Sequence, residues 1–236
     1  MQALSSLGWP VWIALGFLSG SVPFGVILAR AHGVDLRTVG SGNVGATNVG
    51  RALGRRWGFV CFFLDALKGA LPVLAAGWAR GALGTPVTQL FPEDLWWWSG
   101  TVFAALLGHV FSPWIGFKGG KGVATGFGAM VAMWPVLTWP VLLALAAWIV
   151  CMKATRIVSL SSMIAGGSLP LWCALTLPWP DQGADAPGSP WRPMAVTGGL
   201  AVAVLLTHRA NIGRLLAGTE PRVGAKKAPP AATIAP

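Results

Sequence analysis

Residues 40–51 read GSGNVGATNVGR, and their types are those that hold an anion. Glycines let backbone N–H groups come close to a ligand, while Ser41, Asn43, Thr47 and Asn48 offer side-chain donors. Arg51 closes the stretch with a permanent charge placed for a second charged group. The spelling Gly40-Ser41-Gly42-Asn43-Val44-Gly45 fits G-x-G-x-x-G. A dinucleotide fingerprint needs a preceding strand within a βαβ unit, and an apolar helical run precedes this one, so that reading is rejected. A second stretch, Gly108 to Thr125, gathers glycines around Lys118 and Lys121. It is no Walker A loop, because Gly122 stands where Ser or Thr would hold magnesium. The apolar run after it places Lys121 near the N-terminus of a helix, where free N–H groups and the helix dipole favour a phosphate. A third stretch, 207–220, reads THRANIGRLLAGTE. As a helix it puts His208, Asn211 and Leu215 on one face and turns Arg209 away. A histidine and an asparagine beside two anion-binding loops suit a substrate that bears a hydroxyl. His109 reads as an interfacial or packing histidine.

The elements that carry these stretches belong to a membrane. The chain of 236 residues is 54% hydrophobic and only 10% charged, with a mean hydropathy of +0.64. An all-α integral membrane fold follows, with about seven spans near 7–28, 57–79, 95–112, 122–135, 137–152, 157–177 and 194–207. Several fall near or below the roughly 20 residues that cross a bilayer, so short, tilted or broken helices are expected. The formal charge of +10 raises the question of nucleic acid, but the positions of the charges answer it. Nearly all Arg and Lys of the connecting segments fall on one side, from Arg30 and Arg37 to Arg222. The other side receives Arg80 and Arg192 together with Glu93, Asp94, Asp181 and Asp185. This asymmetry puts the basic side and the C-terminus in the cytoplasm and the N-terminus outside. Trp96, Trp97 and Trp98, with Trp9, Trp12, Trp179 and Trp191, are expected as an outer interfacial belt. Cys61, Cys151 and Cys173 stand singly in apolar runs, so neither metal spacing nor a disulfide framework is expected. Asp65 and Lys68 lie within the second span, three residues apart, and are expected as an ion pair that braces the inner site or a helix contact. Residues 1–222 form one helical membrane domain. The Ala/Pro-rich 223–236, with Lys226 and Lys227, is expected as a disordered cytoplasmic tail.

Three stretches converging on one face define a site, and together they resemble the bacterial acyl-phosphate:glycerol-3-phosphate acyltransferase family. The resemblance rests on GSGNVGATNVGR at 40–51, GFKGGKGVAT at 116–125 and HRANIGRLLAGTE at 208–220, with lesser matches at Asp35-Leu36-Arg37 and LDALKG at 64–69. It implies an enzyme of the bacterial inner membrane, active at the cytoplasmic face, that moves a fatty acyl group from acyl phosphate to the 1-hydroxyl of glycerol 3-phosphate. Lysophosphatidic acid and phosphate would be the products. By the same resemblance, Ser41, Gly42, Asn43, Thr47 and Lys121 hold phosphate, with Gly120 beside them. Arg51, Lys121, His208 and Asn211 place glycerol 3-phosphate, with Lys121, His208 and Asn211 at the chemistry. No cofactor, metal or nucleic acid is implied; the partners are the two substrates and membrane lipid.

The residues agree with that chemistry. None of His32, His109 and His208 has an aspartate five positions on, so the His-x4-Asp device of other glycerolipid acyltransferases is missing. An acyl phosphate is already an activated mixed anhydride, so direct transfer without an acyl-enzyme is expected, with Lys121 and N–H donors stabilising the departing phosphate and the oxyanion. The hydroxyl proton goes to His208 or to a substrate phosphate oxygen. The alternative is a transporter for phosphate or an organic anion. It would need polar residues along a path through the bilayer, whereas here they gather on one face.

Overall fold

The computed structural model describes residues 7–179 and 189–224. Asp181, Asp185 and the tail from 225 onward, with Lys226 and Lys227, lie outside the described residues. All regular structure among the described residues is helical: α1 Trp9–Ser21, α2 Phe24–Ala31, α3 Ala46–Leu53, α4 Arg55–Ala79, α5 Pro92–Val110, α6 Val123–Val131, α7 Thr138–Thr155, α8 Val158–Thr176, α9 Trp191–Thr207 and α10 Arg209–Leu216. Four stretches are long and apolar enough to cross a membrane: Trp9–Ala31, α4, α7 and α8. A fifth is gained if α9 and α10, bent by 61°, count as one.

Of the seven expected spans, those near 95–112 and 122–135 are not among these candidates and 194–207 counts only together with α10; two of the seven also differ in form. The first is broken at Val22–Pro23, because proline's fixed φ and missing N–H interrupt the helix. The carbonyls this frees are taken up by neighbours. Ser112 Oγ donates to the Ser21 carbonyl at 2.6 Å, and Lys68 Nζ donates to the Val22 carbonyl at 2.6 Å. Lys68 also lies 2.7 Å from Asp65 Oδ1, so the ion pair that the i, i+3 spacing predicts forms and braces the break. The expected span 122–135 is a nine-residue helix, α6, about 14 Å long and so less than half the bilayer core. Its continuation is irregular, yet Ala132, Met133, Val136 and Leu137 are buried. Non-helical backbone at that depth is tolerated when protein covers it.

Helix contacts are set by glycines. In the α1–α5 pair, a methyl on Gly20 would run into the Ala105 carbonyl, and one on Gly108 into the Phe17 carbonyl. The α4–α6 pair repeats this device, with Gly69 against the Thr125 carbonyl and Gly128 against the Ala66 carbonyl. Such close approach is how helices gain van der Waals contact where lipid offers no hydrophobic drive. Helices α7, α8 and α9 pack in sequence, and α9 returns to touch α5. The expected tryptophan belt holds only in part. Trp96, Trp97, Trp179 and Trp191 are exposed, but Trp9, Trp12 and Trp98 are core residues. Trp98 Nε1 donates to the Val73 carbonyl at 2.9 Å and Trp9 Nε1 to Asp94 Oδ1 at 3.0 Å, so these rings have partners inside the protein. The three cysteines are free and buried.

Candidate functional site

Asn48, in the first turn of α3 and 1% exposed, organises the first loop. Its Oδ1 accepts the Ser41 N–H at 3.0 Å, and its Nδ2 donates to the carbonyls of Leu36 (3.2 Å) and Val39 (2.9 Å). The expectation that Asn48 donates to an anion is therefore corrected: its donors are already used, and its part is to hold the loop's curve. Gly40 and Gly42 take left-handed φ of +61° and +67° within that curve, a conformation glycine adopts without penalty. Asn43 Oδ1 accepts the Gly45 N–H at 2.9 Å, which leaves its Nδ2 available. Ser41 and Thr47 are exposed, and so is Arg51, one turn after Asn48.

The second loop is tied to the first where Arg37 donates to the Lys118 carbonyl. The Gly119 and Gly120 N–H groups, natural candidates for phosphate, donate instead to the carbonyls of Val110 (2.9 Å) and His109 (3.1 Å). Gly120, expected beside the phosphate-holding residues, therefore has its N–H taken up by His109 and packs next to Lys121. Gly122, with φ of +77°, turns the chain into α6. Lys121 thus sits just ahead of a helix N-terminus, as the sequence predicts, with the first-turn N–H groups beyond it unpaired within the helix.

The third stretch bends at His208 instead of continuing α9. His208 is 2% exposed, and its Nδ1 lies 2.8 Å from the Val204 carbonyl. A carbonyl only accepts, so Nδ1 carries the hydrogen and Nε2 presents its lone pair. Burial pushes the imidazole down to about 4, with the Lys121 charge adding to that and the Val204 carbonyl and Glu220 opposing it. At neutral pH the ring is uncharged. Asn211, on the first turn of α10, accepts from Lys121 Nζ with Oδ1 and donates to Glu220 Oε1 at 2.6 Å.

Glu220 is the site residue that sequence reasoning left without a role. It also accepts from Ser159 Oγ at 2.6 Å and Arg214 Nε at 2.7 Å. Burial pushes its carboxyl up, but those three hydrogen bonds and the Arg214 charge outweigh burial and hold it below the ordinary range. Its signal in the sequence is that it is the last acid of the chain and the first after Asp185. Lys121 is pushed down to about 8, first by burial and then by the charges of Arg214 and Arg51, with Glu220 pulling the other way. Lys121, Asn211, His208, Arg51 and Glu220 thus sense one another across three stretches. Ser41, Gly42, Asn43 and Thr47 lie on the loop and first turn of α3, the helix that carries Arg51 and runs on to Leu53. The arrangement is two cations, a carboxylate, an uncharged imidazole and an amide; the cations, imidazole and amide suit phosphate groups and a hydroxyl, while the carboxylate is taken up by Asn211, Ser159 and Arg214.

The family model for glycerol-3-phosphate acyltransferase matches residues 10–218. Among curated relatives, the glycerol-3-phosphate acyltransferase of Anaeromyxobacter sp. (strain K) is 42% identical over 213 residues, covering 89% of this chain and 95% of that one. The one from Cereibacter sphaeroides (strain ATCC 17025 / ATH 2.4.3) is 41% identical over 215 residues, covering 90% of this chain and 88% of that one. Among solved structures, the chain is similar to PlsY (YgiH), an integral membrane glycerol 3-phosphate acyltransferase. The glycerol 3-phosphate form gives a TM-score of 0.76 at 37% identity, covering 92% of this chain and 96% of that chain. The lysophosphatidic acid form gives 0.74 at 36%, covering 92% and 95%.

Proposed function

Because the chain belongs to the glycerol-3-phosphate acyltransferase family, we propose that it transfers a fatty acyl group from acyl phosphate to the 1-hydroxyl of glycerol 3-phosphate. The products are lysophosphatidic acid and inorganic phosphate, in an early step of phospholipid synthesis. It works as a multi-pass protein of the bacterial inner membrane with seven spans, its N-terminus outside and its site at the cytoplasmic face.

The observation that carries this reading is Lys121 held on Asn211 beside the uncharged His208, with Arg51 near enough for its charge to be felt. Arg51, Lys121, His208 and Asn211 place glycerol 3-phosphate. Ser41, Gly42, Asn43 and Thr47, with Lys121, take the phosphate of the donor. The hydroxyl oxygen attacks the acyl carbonyl, the C–O bond to phosphate breaks, and Lys121 with the N–H groups of α6 stabilises both the oxyanion and the departing phosphate. The hydroxyl proton passes to a substrate phosphate oxygen. An imidazole held near 4 is a weaker base than a phosphate dianion, whose conjugate acid titrates at about 6. His208 instead accepts a hydrogen bond from the attacking hydroxyl at Nε2 and orients it. No covalent acyl-enzyme is formed.

The test is purified protein with acyl phosphate and glycerol 3-phosphate, assayed for lysophosphatidic acid, with acyl-CoA as control donor. Product from acyl phosphate alone supports the reading. Product from acyl-CoA alone moves the donor class. Anion flux into proteoliposomes without acyl transfer replaces the enzyme with a transporter.

A further inference from the structure

Behind the site lies a buried polar cluster that the reaction does not use. Asp65, Lys68 and His109 are 2%, 5% and 7% exposed, and they come from two helices. We propose that these three residues are a positioning brace that sets Gly120, and through it the catalytic Lys121. The inference rests on the acyltransfer reading above.

The brace runs through His109. Its Nδ1 edge lies 3.1 Å from Thr125 Oγ1, in the first turn of α6, and 3.8 Å from Asp65 Oδ1 on α4. Its opposite edge faces Gly120. A methyl on Gly120 would overlap Nε2, and the three atoms nearest that methyl all belong to the His109 ring. The His109 carbonyl also accepts the Gly120 N–H at 3.1 Å. Gly120 is therefore fixed from both the main chain and the side chain of His109, and the next residue is Lys121. Asp65 is fixed in turn by Lys68, whose Nζ is 2.7 Å from Oδ1 and 2.6 Å from the Val22 carbonyl at the break of the first span.

The same cluster supports the other arm of the site. A cavity of about 10 Å³ is lined by Ser21, Asp65, Lys68, His109 and Val44 of the phosphate loop. Gly25, just past the break, packs against the Val44 carbonyl. A buried ion pair gives little net stability over apolar residues of the same shape. Charges kept inside a membrane protein are expensive, and here they fix the relative position of both substrate loops.

The test is a pair of double-mutant cycles on the full-length purified protein, reading kcat and KM for both substrates alongside the thermal midpoint. Gly120→Ala drives the ring and the loop apart, and kcat falls about 100-fold, as expected for a misplaced catalytic group. His109→Ala alone lowers kcat about tenfold, and adding it to Gly120→Ala returns kcat to that level, because the methyl then has room. Gly119→Ala is the control: its methyl meets the carbonyls of His109 and Val110, so His109→Ala does not rescue it.

Two further variants weaken the brace, and the thermal midpoint reports whether each still folds. Asp65→Asn with Lys68→Met removes the charges together, and Thr125→Val removes one hydroxyl. Each lowers kcat, the first about tenfold and the second about threefold, while both KM values stay within about threefold. Multiplicative losses in the His109–Gly120 cycle, or unchanged kcat in both brace variants, overturn the proposal. Wild-type protein that makes no lysophosphatidic acid overturns the function reading instead, so the two failures are distinguishable.

Discussion

In the proposed reaction, Lys121 is the residue on which the chemistry turns. Lys121→Ala removes the cation that meets the departing phosphate, and kcat is expected to fall about 100- to 1,000-fold in a protein that still folds. Retained turnover would show that the phosphate is stabilised elsewhere. Its titration gives a second handle. Burial sets Lys121 near 8, so the free enzyme loses this positive charge as pH rises through that value, and kcat/KM should decline above about pH 8. Glu220 acts to raise the Lys121 value, so Glu220→Gln should move that alkaline limb to lower pH. A limb that stays in place would show that Glu220 does not tune the lysine. His208→Ala is expected to keep measurable turnover with a raised KM for glycerol 3-phosphate, since in the proposed reaction the ring orients a hydroxyl without taking its proton. An abolished kcat at saturating substrate would instead make His208 the base.

At the scale of elements, reciprocal glycines fix the two helix pairs that carry the site. Gly20→Val would force two added methyl groups and a Cβ into the Ala105 backbone, and overpacking of this kind costs about 2 kcal/mol, or about 4–8 °C in Tm. Gly167→Val is the matched control, because nothing lies within 4 Å of the position, and it should leave Tm nearly unchanged. Equal shifts in the two variants would mean that helix propensity, not close approach, governs the loss. The broken first span shows how an element can be costly and still serve. Its freed carbonyls at Ser21 and Val22 are the points to which Ser112 and Lys68 attach the second loop and the second long helix.

For the whole molecule, the charge asymmetry of the connecting segments predicts the orientation. In a chain with Cys61, Cys151 and Cys173 replaced by alanine, Lys153→Cys should react with an impermeant thiol reagent only from the cytoplasmic side, and Gln89→Cys only from outside. Both positions are exposed, so either one reporting from the wrong side would invert the topology. The membrane class, the pairing of Asp65 with Lys68, and the three stretches that meet around Lys121 were all legible from residue type and spacing. The helix N-terminus after Lys121 was legible too, because glycines followed by an apolar run leave few other conformations.

Other features were not legible, for physical reasons. Trp9, Trp12 and Trp98 are amphipathic rings whose pattern fits an interface as well as a core; only the presence of Asp94 and the Val73 carbonyl as partners places two of them inside. Asn48 and Gly120 have the chemistry of ligand donors, and whether a donor is free depends on which carbonyls the fold brings to it. Glu220 gains its three partners from a bend at His208 that helical periodicity does not announce. By itself, then, the sequence determined the solvent, the charge of the site and the residue types that can meet an anion, because these depend on composition and local spacing. The tertiary structure alone decided which of those donors remain unspent and what holds Lys121 in place, because hydrogen bonds between distant segments are settled only when the helices have packed.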